Sequence, residues 1–327
     1  MSKPIILNAA ELPARTQAEL ASLFTVLDLP KHTDEARAFL AQHGAAVRGI
    51  ALRKTKIDAA FLDALPALEI IASYSAGLDN LDVQSAKARG IRIENSSHIL
   101  AEDVANTAIG LALALTRDIV KADTYVRSGN WATHGALPLG RSISRMKVGI
   151  VGLGTIGAAI AKRLRAFGSQ LAYYGPNRKS VDLPYYDDVT RLAADSDLLI
   201  LTCPLTPQTH HLVDAKVIDA LGPNGFLVNI ARGPVVDEAA LIEALNTQRI
   251  AGAALDVFEH EPQVPAALIA NPRVVLTPHI GSATEETRTA MADNVVDVLA
   301  SHFGIVGPRS VAALAAHADA DKAVAAL

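Results

Sequence analysis

The run Gly152-Leu153-Gly154-Thr155-Ile156-Gly157 follows an apolar segment at Lys147 to Val151 and opens a helical pattern that reaches Phe167. This is GxGxxG at the spacing where each glycine has a task. Gly152 permits a tight turn, Gly154 lets the backbone approach a pyrophosphate, and Gly157 lets helix and strand pack closely. The helix start, with Thr155 and Ile156 in its first turn, offers unpaired N–H groups to an anion. These residues read as a dinucleotide site. About 20 residues further on, an acidic side chain would hold the ribose 2′-hydroxyl of NAD. No Asp or Glu lies between Gln170 and Ser180, and Asn177, Arg178 and Lys179 stand there instead. A carboxylate would repel a 2′-phosphate, whereas Arg offers it a charged fork. NADP(H) is therefore the expected cofactor, with NAD(H) a weaker one.

Three later apolar runs each end in polar residues. Arg232 follows Val228-Asn229-Ile230-Ala231. Asp256, Glu259, His260 and Glu261 follow Ala254-Leu255. His279 and Gly281 follow Thr277-Pro278. Ligands of open parallel α/β sheets sit beyond the carboxyl ends of the strands. An Arg, a carboxylate and a His at three such ends can converge on one cleft. His260 reads as a surface residue.

The elements that must position these residues alternate along the chain. Short apolar runs over 4–8, 47–51, 69–74 and 91–94 read as strands, with helices over 16–26, 57–65 and 81–89. A second series has strands over 147–151, 170–174, 197–202, 226–230, 252–256 and 274–277. Helices over 156–167, 215–221 and 238–246 lie between them. Such alternation means βαβ units and parallel sheets in each of two halves. Residues 101–126 read as one long helix with an apolar stripe through Ala108, Leu111 and Leu115. Residues 128–145 show no period and hold Trp131, the single Trp. A last helix over 285–302 is a candidate to return to the first half. The fold expected is α/β with two doubly wound parallel-sheet domains. A Rossmann dinucleotide-binding domain (100–284) is inserted into a flavodoxin-like substrate domain (1–99 and 285–327).

Composition bounds the partners. In 327 residues, 50% are hydrophobic and 20% charged, enough to bury a sizeable core. A net charge of −4 and 4% aromatics argue against a nucleic-acid binder. One Cys excludes a disulfide framework and a Cys-based zinc site. No metal is expected. No secretory signal or membrane span is read, so a cytoplasmic location is expected.

Six motifs in order resemble the D-isomer-specific 2-hydroxyacid dehydrogenase family: Ser75-Ala76-Gly77-Leu78-Asp79, GLGTIG, Pro204-Leu205-Thr206, NIARG, LDVFEHEP and TPHIG. The segments AEDVANTAIGL and VRSGNW and the missing acidic residue are most similar to its NADP-dependent glyoxylate/hydroxypyruvate and hydroxyphenylpyruvate reductases. The resemblance implies a triad of Arg232, Glu261 and His279. The Arg-to-Glu separation suits Glu261 better than Glu259. Reducing a 2-oxo acid needs a hydride and a proton, and His279 can give that proton near neutral pH. Glu261 would orient the ring, and Arg232 would bind the substrate carboxylate and polarise the keto oxygen. The free amides of Ser75, Ala76 and Gly77 can form a nest for the same carboxylate. By resemblance, Thr107 and Asp256 contact the nicotinamide amide. Pro204 and Thr206 border the adenosine, and Ile230, Ala231 and Gly281 belong to cofactor-facing motifs. Cys203 reads as a small buried hydrophobe.

Glyoxylate or hydroxypyruvate is the expected substrate, with hydroxyphenylpyruvate and 2-ketogluconate as alternatives. Trp131 lies where the resembling reductases reach toward a neighbouring subunit, so it could wall the substrate pocket across a homodimer. Co-repressors of the same fold use the dinucleotide as a signal for protein binding. No long regulatory tail supports that reading here.

Overall fold

The computed structural model describes residues 2–307 and Arg309. The alanine-rich tail falls outside them. The chain divides into two units. One is built on residues up to Leu100 and from Thr284 onward, and the other on Ala101–Ala283.

The first unit holds β1 (Ile5–Ala9), β2 (Thr25–Asp28), β3 (Val47–Leu52), β4 (Ile70–Ser73) and β5 (Arg92–Glu94). All pairings are parallel, in the order β2-β1-β3-β4-β5. This is the flavodoxin-like doubly wound order. Central strands are apolar on both faces because helices cover both. Ile6, Leu7, Ile50, Leu52, Ile70 and Ile71 are fully buried. The helix Glu285–His302 packs on β4 and on the helix Ala14–Leu23. Thr284 caps it by accepting from the Thr287 N–H at 3.2 Å.

The second unit holds β6 (Lys147–Val151), β7 (Gln170–Tyr174), β8 (Tyr185–Tyr186), β9 (Leu198–Leu201), β10 (Phe226–Asn229), β11 (Gly252–Leu255) and β12 (Val274–Leu276). Their order is β12-β11-β10-β9-β6-β7-β8, again all parallel. Counting from β6, this is the Rossmann order with one strand added at the far edge. Both expected sheet types are therefore present.

Two sequence expectations fail locally, and several short elements were not expected. The helix expected over 16–26 spans Ala14–Leu23, and the chain then enters β2. β2 is a half-exposed edge strand of four residues with no continuous apolar run, and β8 is shorter still. The helices Thr33–His43 and Val189–Ala194 are further elements outside the expected series. The long helix over 101–126 is two helices, Ser97–Thr116 and Ile119–Arg127, with left-handed backbone at Asp118 (φ 53°) between them. The break has a cause outside the helix. The Arg141 N–H takes the Thr116 carbonyl at 2.8 Å, ending the ladder. The Ser97–Thr116 helix is long and apolar enough to cross a membrane, yet more than half of its apolar window is buried in the protein. It serves as a core helix, with Ala108, Leu111 and Leu115 inward.

Candidate active site

The cradle after β6 is sterically specified. Gly152 has φ +101°, and a Cβ there would stand 2.8 Å from the Cys203 nitrogen. A Cβ on Gly157 would stand 2.3 Å from the Gly152 carbonyl oxygen. Only glycine permits this turn and this approach. A Cβ on Gly154 meets nothing within 4 Å, so the backbone here is open on one side. Thr155 and Ile156 begin the helix Thr155–Phe167 beside that opening. A glycine-lined opening at a helix N-terminus fits the pyrophosphate of a dinucleotide.

Asn177, Arg178 and Lys179 lie exposed on the loop after β7. Tyr173 Oη accepts from the Lys179 N–H at 2.6 Å, and Tyr185 Oη donates to the Gly175 carbonyl at 3.1 Å. These two phenols hold the loop while its cations stay at the surface. Neither Arg178 nor Lys179 is paired with an acid among the described residues. Pro204 and Thr206 sit in a turn closed by Thr209. Its hydroxyl donates to the Pro204 carbonyl (2.6 Å) and accepts from the Thr206 N–H (2.7 Å). Cys203 just before it is 7% exposed, and burial pushes its thiol up to about 11. The thiol therefore stays protonated at neutral pH and is no nucleophile.

The Arg232, Glu261 and His279 segments follow three adjacent strands, β10, β11 and β12. Asn229, at the end of β10, is 1% exposed. Its Oδ1 accepts from the Ala231 N–H and its Nδ2 donates to the Arg232 carbonyl, both at 3.0 Å. This turn buries Ile230 and Ala231 and sets the start of the Arg232 loop. Gly233 comes next, and a Cβ there would lie 1.9 Å from the Phe258 carbonyl carbon. The Arg232 loop thus lies directly on the peptide that leads into Glu261. Glu261 is held from two sides. Its Oε1 accepts from the Phe258 N–H at 3.2 Å, and its Oε2 stands 2.7 Å from His279 Nδ1. A carboxylate at Nδ1 leaves Nε2 as the outward nitrogen of the ring. His260, the neighbour of Glu261, is exposed.

Asp256 has partners that its strand-end position did not reveal. It is 2% exposed. Its Oδ1 accepts from the Thr277 hydroxyl (2.6 Å) and the Ile280 N–H (2.8 Å), and its Oδ2 from the Gly281 N–H (2.8 Å). Its own carbonyl accepts from the His279 N–H at 2.9 Å. The loop around His279 is wrapped on this one carboxylate, and His279 is held in left-handed backbone at φ 54°. Thr107 joins the same support, its hydroxyl donating to the Gly281 carbonyl at 3.2 Å. Both residues expected at the nicotinamide therefore grip the His279 loop. Strand-end position gave no sign of this, because the partners are backbone groups of another loop.

In the first unit, the Ser75 N–H donates to the buried Ser73 hydroxyl at 3.2 Å. Ser75 therefore has no free amide for the expected nest, which narrows to Ala76 and Gly77. Trp131 is 62% exposed on the short helix Asn130–His134.

A Rossmann sheet with a glycine cradle, and a carboxylate-held His at neighbouring strand ends, define a dinucleotide-dependent oxidoreductase. The D-isomer specific 2-hydroxyacid dehydrogenase NAD binding domain matches residues 109–281, and the chain belongs to that family. It is 49% identical over 271 residues to glyoxylate/hydroxypyruvate reductase A of Arabidopsis thaliana, covering 82% of this chain and 86% of that one. It is 42% identical over 304 residues to 2-ketogluconate reductase of Gluconobacter oxydans, covering 92% and 96%. A solved NADPH-dependent glyoxylate/hydroxypyruvate reductase from Sinorhizobium meliloti, in complex with NADP and malonate, is 42% identical. It superimposes with a TM-score of 0.83 over 92% of this chain and 94% of that one.

Proposed function

We propose that this chain reduces glyoxylate to glycolate and hydroxypyruvate to the D-2-hydroxy acid with NADPH. The observation that carries the reading is the 2.7 Å contact of Glu261 with His279 Nδ1, beside the Arg232 loop. The reduced dinucleotide supplies the hydride when bound. His279 Nε2 then hands a proton to the developing alkoxide, while Glu261 keeps Nδ1–H pointed inward and the ring in one tautomer. The Arg232 guanidinium holds the substrate carboxylate and draws charge from the keto oxygen. The test is a panel of glyoxylate, hydroxypyruvate, hydroxyphenylpyruvate and 2-ketogluconate with NADPH. The two small acids are expected to show the highest kcat/KM, and a tenfold lead for either bulky acid would overturn the assignment.

The preference for NADPH over NADH rests on Arg178 and Lys179, paired with no acid among the described residues, in a stretch from Gln170 to Ser180 that holds no Asp or Glu. Arg178→Ala combined with Lys179→Ala is expected to raise the KM for NADPH about tenfold or more. The KM for NADH should stay within a factor of two or so, since no 2′-phosphate is lost. An equal rise for both cofactors would remove these residues from the phosphate.

A homodimer is supported by exposed apolar side chains gathered in one stretch: Ile119 (50%), Val120 (56%), Val126 (55%), Trp131 (62%) and Leu139 (100%). Such a run costs less when a second copy covers it. Val126→Asp is expected to shift sedimentation from dimer toward monomer. A wild-type chain that sediments as a monomer at micromolar concentration refutes the dimer.

A further inference from the structure

Beyond the reductase site, one side-chain cluster has the composition of a cation site. His210 and His211 are neighbours in sequence, and neighbouring side chains ordinarily point apart. Here they do not. The His210 N–H donates to the Thr206 carbonyl at 2.9 Å and the His211 N–H to the Pro234 carbonyl at 2.8 Å. His211 is held in left-handed backbone at φ 50°. That turn brings the two rings together, with centroids 4.1 Å apart and planes inclined by 30°. His211 Nε2 then lies 2.8 Å from Glu259 Oε1. Glu259 is fixed in turn by its N–H, which donates to the buried Glu238 carboxylate at 3.3 Å. One donor atom from each of His210, His211 and Glu259 falls within 4.8 Å of the other two.

We propose that His210, His211 and Glu259 bind one first-row divalent cation of the Zn2+ type. Two imidazoles and a carboxylate are the donor set such ions take, and hard cations such as Mg2+ prefer oxygen alone. Bonds of about 2.0–2.2 Å in a tetrahedron place donors about 3.3–3.6 Å apart. The donors here lie within 4.8 Å of one another, and the exposed His210 side chain is the one with solvent around it to adjust. The ion replaces the His211–Glu259 hydrogen bond, and water completes the fourth position on the open side. It ties the turn after β9 to the segment after β11, two residues before Glu261.

The test titrates ZnCl2 into full-length protein freed of any purification tag, by calorimetry, and follows CoCl2 binding by its visible absorption. Wild type is expected to take one Zn2+ per chain and to gain thermal stability from it. His210→Ala should bind at least tenfold more weakly, with reductase activity in EDTA unchanged. Glu259→Gln should weaken binding similarly. His279→Gln should bind as wild type does, which separates this site from the catalytic pair. Wild type without binding, binding unchanged in His210→Ala, or binding lost with His279→Gln overturns the proposal.

Discussion

His279→Ala is expected to lower kcat by about 10²- to 10⁴-fold, the share that a positioned proton donor contributes. The KM for NADPH should hardly change. The cradle at Gly152 to Gly157 is a backbone feature of β6 and the following helix, and it does not involve the ring. Single-turnover reduction, with NADPH binding followed separately by fluorescence, resolves the two effects. Glu261→Gln should fall between wild type and His279→Ala. A glutamine can still bond Nδ1–H through its carbonyl oxygen, but it brings no charge to stabilise the imidazolium that forms. Near-normal turnover in His279→Ala would falsify the role given to this residue.

Asp256→Ala is the substitution with the largest expected cost to stability. It strips acceptors from the Thr277 hydroxyl and from the Ile280 and Gly281 N–H groups at a site that is 2% exposed. Each buried donor left without a partner costs about 1–3 kcal/mol, so the sum is several kcal/mol. The loop would lose the contacts that hold His279 at φ 54°, and turnover should fall with stability. Asp256→Asn keeps one oxygen but turns an NH2 toward a backbone N–H, and should lie between. Denaturant unfolding read beside kcat checks this. Full stability with lost turnover would instead place Asp256 in direct contact with substrate or cofactor.

The two results concern the same loop but draw on different information. The sequence alone marked the ring of His279, because Thr-Pro-His-Ile-Gly follows an apolar run and chemistry needs an acid–base group there. It could not mark Asp256 as the anchor. A carboxylate after a strand looks the same whether it faces a cofactor or a neighbouring loop. Thr107 carries the same ambiguity, since its hydroxyl reaches a carbonyl 174 residues away.

What the sequence determined by itself follows from local physics. Period and apolar runs gave βα alternation, and the glycine spacing gave the cradle, because a turn of φ +101° and a 2.3 Å approach admit no side chain. The lack of an acid from Gln170 to Ser180 also needs no coordinates. Tertiary structure decided what depends on distant partners. The break at Asp118 is imposed by Arg141, and the loss of the Ser75 amide by the hydroxyl of buried Ser73. The Glu261–His279 pair and the His210–His211–Glu259 cluster form only when loops after different strands meet. Hydrogen bonds between such loops leave no periodic trace along a chain, so only the fold could place them.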